Sequence, residues 1–248
     1  MMDFHCHLDL YPGAKQVYTE AAKRNKFTWL VTTTPKAFIA TNAVLPFFPN
    51  ILITPGLHPE IAHDRSEELS ILLAQIVTVP AVGEIGLDGS PRYKNYYDIQ
   101  LKIFDSIVAK CAELGGRTLS IHSRKSVKDI LSILRSHSGY GTAVLHWFSG
   151  TLLELHRAVE EDCWFSIGPA VFSSANGRLL AANMPKNRVV PESDGPFAKV
   201  EGKLIMPWCF FETVQYLSDV WKLPKQEVSQ ILENNSKELL SIIYRSKL

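Results

Sequence analysis

The first ten residues, MMDFHCHLDL (residues 1–10), place two histidines one residue apart, with an aspartate close on either side. In a β-strand, side chains two residues apart point to the same face of the sheet. If residues 4–9 form a strand, the imidazoles of His5 and His7 therefore lie together and could hold one cation. The same pair is also compatible with two ordinary histidines in a strand, so its meaning depends on the rest of the chain.

The composition is that of an ordinary soluble globular protein, with 248 residues of which 46% are hydrophobic and 21% are charged. The net charge of +1 excludes the broadly basic character of many nucleic-acid-binding proteins and the acidic character of disordered chains. If the substrate is a polyanion, the positive charge that attracts it must therefore be local, such as that of bound metal ions.

Three features predict a cytoplasmic protein that does not associate with membranes. No apolar run reaches the roughly 18 residues that a membrane-spanning helix needs. The first residues include Asp3 and lack the basic-then-apolar order of a secretory signal. The four cysteines are far apart and form no C-x-x-C motif, which fits a reducing compartment better than a disulfide framework. They are Cys6, Cys111, Cys163 and Cys209.

Short β-rich stretches alternate with helical stretches along the whole sequence. Strands are predicted at residues 4–9, 27–34, 51–59, 80–86, 117–123, 141–147, 163–169 and 188–194. This α/β alternation predicts a (β/α)8 TIM barrel that spans residues 1–248 as a single domain, with extra C-terminal helix. Helices are predicted at residues 207–222 and 225–243 after the last strand. A doubly wound open sheet is the alternative, although the first turn lacks the G-x-G-x-x-G of dinucleotide-binding folds.

Polar residues with metal-binding chemistry stand at the carboxyl ends of six of the predicted strands. They are His5, His7, His58, Glu84, His122, His146, Glu192 and Asp194. Each one alone has an ordinary structural explanation, such as a satisfied core histidine or a turn aspartate. In a barrel, however, these strand ends meet at one mouth, where so many buried polar groups need a compensating charge. A divalent metal centre supplies that charge.

Seven motifs along the chain resemble those of the TatD family of metal-dependent hydrolases, in the family's order and spacing. They read DFHCHLD, GLHPE, VGEIGLD, IHSRKS, HWFSG, ESDGP and NNSKELL. The resemblance implies a TIM barrel with one to three divalent metal ions and, in most members, deoxyribonuclease activity, often as 3′–5′ exonucleases acting on DNA. It implies that His5, His7, Glu84 and Asp194 bind one metal, and that Glu84, His122 and His146 bind another.

We expect two metal ions, which could be Mg, Mn or Zn because a mixed histidine and carboxylate set does not choose among them. Asp194 is the predicted general base, and Glu84 is predicted to bridge the metals and orient the attacking water. His58 and Arg124 are predicted to contact the substrate phosphate. For Arg124, a structural salt bridge is an equal alternative.

Two stretches depart from the family pattern, so the motifs do not determine which substrate the protein prefers. Phe197 stands where the family usually has tyrosine, and the Arg-Gly and Asn-x-Pro segment that follows is not recognisable. The stretch GSPRYKNYY, residues 89–97, combines basic residues with three tyrosines. This composition is typical of a loop that contacts single-stranded DNA, but it is equally compatible with a solvent-exposed start of the next helix.

The opening stretch is most similar to one branch of the family, the TatD-like component of the bacterial Qat anti-phage defence system. That similarity implies partners among the other proteins of a defence operon, whereas a housekeeping nuclease is the alternative. Two further functions stay open: hydrolysis of a small amide, ester or modified base, and a partner-dependent or non-catalytic role in a complex. Many amide hydrolases on this barrel carry a carbamylated lysine where this chain has Glu84, which favours the nuclease branch.

Overall fold

A computed structural model describes residues 1–245 and contains eight parallel strands, one for each predicted strand. These are β1 (Met2–Cys6), β2 (Phe27–Val31), β3 (Ile51–Thr54), β4 (Ala81–Gly86), β5 (Arg117–His122), β6 (Gly141–His146), β7 (Trp164–Ile167) and β8 (Val189–Pro191). The strands follow one another around a barrel in chain order. The predicted TIM barrel is therefore confirmed, and the alternative of an open doubly wound sheet is wrong.

The barrel closes at two seams where the regular ladders are interrupted. Continuous ladders join β1 to β3 and β4 to β8. Between β3 and β4, the backbone N–H of Gly83 donates to the carbonyl oxygen of Pro55 at 3.0 Å. Between the end of β8 and β1, the N–H of Asp194 donates to the carbonyl oxygen of His5, also at 3.0 Å. Both seams lie beside residues predicted to bind metal.

Helices cover the outside of the barrel, and one follows each of the first seven strands. In the described part of the chain they are α1 (Ala14–Arg24), α2 (Pro35–Val44), α3 (Leu69–Ile76), α4 (Tyr97–Glu113), α5 (Val127–Ser136), α6 (Leu152–Glu160), α7 (Ala175–Asn183), α8 (Phe211–Trp221) and α9 (Lys225–Arg245). Their starts follow from local chemistry: Pro35 occupies the first turn of α2, and the Thr34 side chain accepts the N–H of Ala37. The predicted C-terminal helix is present as α9.

A short hairpin after β8 was not predicted. It consists of β9 (Lys199–Val200) and β10 (Lys203–Leu204), which pair in antiparallel fashion. The hydroxyl of Tyr11 donates to the carbonyl oxygen of Ile205, just beyond β10. This contact attaches the segment after β8 to the segment after β1, at the same mouth of the barrel.

The amino-terminal mouth of the barrel is closed by apolar packing. Leu239 and Ile243 of α9 are fully buried in one cluster with Phe4, Phe27 and other residues of the strands. The rings of Phe4 and Phe27 are 5.4 Å apart. Since this end is filled, the polar strand ends open to solvent only at the carboxyl-terminal mouth. Among residues 1–245, no helix combines the length and the apolar character needed to cross a membrane.

Candidate metal centre

Strand β1 delivers both histidines of the opening motif to the carboxyl-terminal mouth. His5 lies within the strand and His7 directly after it, and both are buried. The Nε2 atom of His5 is 3.4 Å from Oε2 of Glu84 and 3.7 Å from Oδ1 of Asp194. The Nε2 atom of His7 is 3.2 Å and 3.8 Å from the same two oxygens. The four side chains thus converge on one small volume.

Glu84, within β4, stands between two groups of ligands. Its Oε2 atom faces His5 and His7, whereas its Oε1 atom faces three other histidines. The distances from Oε1 are 2.8 Å to His146 Nε2, 3.0 Å to His58 Nε2 and 3.1 Å to His122 Nδ1. One carboxylate therefore faces a different set of imidazoles with each of its two oxygens, which is the arrangement a bridging ligand requires.

Asp194 lies beside His5, His7 and Glu84 and has an unusual backbone conformation. Its φ angle of 47° lies in the left-handed region, which is unfavourable for a residue other than glycine by about 1–3 kcal/mol. The hydrogen bond from its N–H to the carbonyl oxygen of His5 holds the residue beside β1. Such strain persists where the surrounding structure fixes it, and here it directs the carboxylate toward His5 and His7.

Without bound cations, the pKa values of the two carboxylates of the centre are shifted in opposite directions. Burial raises the pKa of Asp194 well above its usual value, and the nearby carboxylates of Glu192 and Glu84 raise it further. Burial also opposes ionisation of Glu84, but the charges of His58 and His146 and the hydrogen bonds from the histidines hold its pKa well below the usual range. Glu84 is thus ionised, whereas Asp194 holds a proton readily.

The histidines of the centre also differ from one another. Burial lowers the pKa of His5 well below its ordinary value, with the neighbouring His146 adding to the effect. For His122, burial is outweighed by hydrogen bonds to Asp88 and Glu84, which raise the pKa to about 9. His5 is therefore the neutral imidazole that a metal ion needs, whereas His122 has to release a proton before it can bind one.

The donor set fits divalent metal ions. His5 Nε2 and His146 Nδ1 are buried and have no hydrogen-bond partner, and His5 Nε2 faces two carboxylates. Four groups of three residues have ligand atoms within 4.8 Å of one another, and two of them share Glu84, namely His5, His7 and Glu84, and His58, Glu84 and His122. Imidazole and carboxylate are ligands for Zn and Mn, and carboxylate for Mg. The residues present are thus suited to hold cations on both sides of Glu84.

Three polar residues outside the predicted ligand set lie next to the ring nitrogens of its histidines. Asp88 Oδ2 lies 2.9 Å from His122 Nε2, Ser120 Oγ lies 2.7 Å from His5 Nδ1, and Glu192 Oε2 lies 3.8 Å from His146 Nδ1. Asp88 follows Glu84 by four residues within the motif VGEIGLD, which is the one signal that could have identified it.

A cavity of about 700 Å³ opens above the centre. His58 and Arg124, the predicted phosphate contacts, both line it, and Arg124 is exposed. Apolar side chains form other parts of its wall, namely Leu10, Ile61, Trp147 and Phe197. Phe148, next to Trp147, is instead buried in the core. The predicted metal ligands and phosphate contacts thus lie close together at the carboxyl-terminal mouth, namely His5, His7, His58, Glu84, His122, Arg124, His146 and Asp194.

The loop at residues 89–97 is partly fixed by internal contacts. The hydroxyl of Tyr93 donates to Glu60, a wall residue of the cavity, and the hydroxyl of Tyr97 donates to Asp129. Tyr96 stacks on His63, with ring centroids 3.7 Å apart. All three tyrosines therefore have structural partners, and DNA contact by this loop stays a prediction.

Comparison with known proteins agrees with this geometry. The sequence profile of the TatD-related DNase family matches residues 2–241. The chain belongs to the TatD family. A human relative named deoxyribonuclease TATDN3 is 24% identical over 259 residues, covering 96% of this chain and 94% of its own. A relative from Edwardsiella piscicida named 3′-5′ ssDNA/RNA exonuclease TatD is 26% identical over 204 residues, covering 76% of this chain and 77% of its own.

Solved structures of TatD homologues share the fold. The crystal structure of YjjV from Escherichia coli K12 has a TM-score of 0.75 at 23% sequence identity and covers 95% of this chain and 96% of its own. A TatD family hydrolase from Entamoeba histolytica gives the same TM-score at 18% identity, with the same coverage. Membership of the TatD family makes this protein a metal-dependent hydrolase of the deoxyribonuclease type.

Proposed function

We propose that this TatD protein cleaves phosphodiester bonds at the 3′ end of DNA with two divalent metal ions. The observation that carries the proposal is the position of Glu84, whose two oxygens face separate groups of histidines. Two cations held there would supply an activated water and positive charge for the phosphate oxygens. Mg, Mn and Zn are the candidate ions, because the ligands include both imidazoles and carboxylates.

The residues of the chain have distinct proposed roles. His5, His7, Glu84 and Asp194 hold one cation, and Glu84, His122 and His146 hold the other. Asp194 is the proposed acceptor of the proton of the attacking water, since its carboxylate lies beside His5 and His7, where that cation would be held. Glu84 stays ionised and orients that water between the two groups. His58 and Arg124 bind the phosphate from the cavity wall.

The size and lining of the cavity support a single-stranded end as the substrate. A volume of about 700 Å³ has room for one or two nucleotides. Trp147 and Phe197 offer apolar surface against which an unpaired base could pack. The proposed 3′–5′ direction and the choice of DNA rest on the names of the relatives from Edwardsiella piscicida and human.

The proposal is tested on a single-stranded DNA oligonucleotide labelled at its 5′ end. Metal-free protein is reloaded with Mg, Mn or Zn, and the products are separated by length. We expect a ladder of fragments shortened from the 3′ end and complete loss of activity with excess chelator. His5→Ala and Asp194→Asn should each lower the rate by at least about 100-fold, since each removes a ligand of the centre.

His137→Ala is the matched control, because His137 pairs with Asp105 on the surface, outside the centre. It should keep wild-type activity. Activity of wild-type size in His5→Ala or Asp194→Asn, in preparations free of contaminating nuclease, would contradict the proposal. Cleavage of small amides or esters without cleavage of DNA would instead support the amide-hydrolase alternative.

Location in the cell and a role in defence are two further proposals, and each rests on a single observation. Cytoplasmic location is supported by the four cysteines, all of which are free thiols. A role in anti-phage defence, with other proteins of a defence operon as partners, rests on the opening stretch of the sequence. Assays of the protein alone and together with the products of neighbouring genes would show whether its activity depends on such partners.

A further inference from the structure

Asp88 is a fully buried carboxylate directly behind the metal centre. It follows β4 and has no exposed surface. Its Oδ2 atom is 2.9 Å from Nε2 of His122, while Nδ1 of the same ring is 3.1 Å from Oε1 of Glu84. The imidazole of His122 therefore lies between the centre on one side and a buried anion on the other.

Asp88 is itself held in place by helix α4. The side chain of Gln100, which is buried, accepts the backbone N–H of Asp88 at 2.7 Å and donates to its carbonyl oxygen at 3.4 Å. The other carboxylate oxygen of Asp88 accepts the N–H of Ser90 at 2.8 Å. These bonds fix both the backbone and the side chain of Asp88, so its carboxylate has little freedom to turn away from His122.

Both ring nitrogens of His122 face carboxylates, which only accept hydrogen bonds, so without a metal ion each can carry a proton. Asp88 lies behind the ring and keeps the proton on Nε2, so a cation held beside Glu84 would bind at Nδ1. We propose that Asp88 is a positioning residue, which sets the tautomer of His122 and strengthens Nδ1 as a metal ligand. This inference deepens the proposed function and rests on the metal centre that it assumes.

The other histidines of the centre lack an equivalent partner in the described structure. His5 Nδ1 contacts the neutral hydroxyl of Ser120, and His146 Nδ1 lies 3.8 Å from Glu192, beyond hydrogen-bond distance. Asp88 therefore acts on one side of Glu84 only. A change at Asp88 should weaken the ion held by His122 and His146 and leave the ion held by His5 and His7 unaffected.

An alternative role for Asp88 is that of a direct ligand, since Glu60, Asp88 and His122 have ligand atoms within 4.8 Å of one another. The described contacts favour the positioning role. Glu60 Oε2 already accepts the hydroxyl of Tyr93, and both oxygens of Asp88 are used by Ser90 and His122. The two roles predict different numbers of bound ions, which a titration can count.

The first test measures binding of Mn and Zn to metal-free protein by competition with a chelator. In Asp88→Asn we expect two ions per chain, one bound about 10- to 100-fold more weakly than in wild type and one bound unchanged. Asp129→Asn is the matched control, because Asp129 accepts a similar hydrogen bond from Tyr97 outside the centre. It should bind both ions as wild type does. Circular dichroism confirms that each variant is folded.

The second test needs no variant. In wild-type protein labelled with ¹⁵N at histidine and loaded with Zn, NMR should show that His122 carries a proton on Nε2 and binds metal through Nδ1. Metal bound through Nε2 would overturn the proposal. So would wild-type affinity for both ions in folded Asp88→Asn, or the loss of one whole ion, which would make Asp88 a ligand. Wild-type protein that binds no divalent ion would instead refute the metal centre and the proposed function.

Discussion

Arg124 is the one permanently charged cation among the residues that line the cavity. It stands two residues after His122, at the end of β5, and its side chain is exposed. Because it is not a ligand of the proposed centre, it is suited to hold the substrate rather than to take part in the chemical step. Its two possible roles, phosphate contact and structural salt bridge, predict different kinetics.

Replacing Arg124 with alanine should raise KM for single-stranded DNA by at least about tenfold and leave kcat nearly unchanged. A charge-assisted hydrogen bond contributes about 1.5–3 kcal/mol, and loss of uniform binding appears in KM alone. Steady-state kinetics with a labelled oligonucleotide provide the measurement. Arg135→Ala is the control, since Arg135 pairs with Glu161 on the surface. Unchanged KM in Arg124→Ala, together with lower stability, would show a structural salt bridge.

At the scale of single residues, the sequence predicts which ligand side chains meet but not which residues form hydrogen bonds to those ligands. His5, His7, Glu84 and Asp194 could be grouped because each follows or ends a strand, and strand ends of a barrel share one mouth. Asp88 also follows a strand, but an acid two residues beyond a strand end resembles many other loop acids. Its partner, His122, is 34 residues away in sequence, and only the packing of β5 against β4 brings the two together.

At the scale of elements, the start of α6 shows how a few residues fix a helix end. Thr151 accepts the N–H of Glu154 through its hydroxyl, and the Glu154 side chain accepts the N–H of Thr151. This capping box satisfies two backbone donors that the helix itself leaves without partners. It lies just after β6, so it also fixes the path of the chain behind His146.

Thr151→Ala should lower the free energy of unfolding by about 1 kcal/mol, because it removes the accepting side chain at the helix start. Denaturant titration of wild type and variant gives the difference. The control is Thr19→Ala, since Thr19 lies inside α1, where its hydroxyl bonds the Lys15 carbonyl oxygen and caps no helix start. It should change stability by less than about 0.5 kcal/mol. An equal loss in both variants would contradict the capping role.

The elements themselves were largely predictable, and their exceptions have physical reasons. All eight strands occur where apolar stretches indicated them, because a buried parallel strand needs a continuous run of such residues. The hairpin of β9 and β10 was missed, since strands of two residues are too short to show any alternation. The seam at Gly83 and Pro55 was also beyond prediction, because it consists of isolated bonds rather than a repeating ladder.

At the scale of the whole molecule, bound cations and folding are coupled. A ligand at about 100 times its Kd stabilises the folded state by about 2.7 kcal/mol. For a protein of this size, that corresponds to a rise in Tm of about 5–10 °C. Ions that bind at the mouth of the barrel connect β1, β4, β5, β6 and the end of β8, so their effect should extend to the whole fold.

The rise in Tm on adding Mn or Zn should be larger at about pH 8 than at about pH 6. The pKa of His122 is raised to about 9 and that of Asp194 is raised well above its usual value, so in metal-free protein both groups hold their protons up to a higher pH than usual. The stability that these raised pKa values provide is present at low pH and is lost as pH rises, whereas metal binding displaces the same protons.

Differential scanning fluorimetry with and without metal, at several pH values, measures this difference. In Asp194→Asn, the dependence on pH should become weaker, because one of the two displaced protons is gone. His137→Ala should follow wild type. A rise in Tm that is equal at all pH values, or larger at acidic pH, would contradict the coupling.

The closure of the amino-terminal mouth by α9 has a consequence for synthesis of the chain. Phe4 lies in β1, but Leu239 and Ile243 of α9, which cover it, follow about 235 residues later. At about 5–20 residues per second, the ribosome needs roughly 12–47 s to reach them. During that time the apolar residues at this end of the nascent barrel lack the cover that α9 provides, so the chain should be most prone to aggregation before α9 has been made.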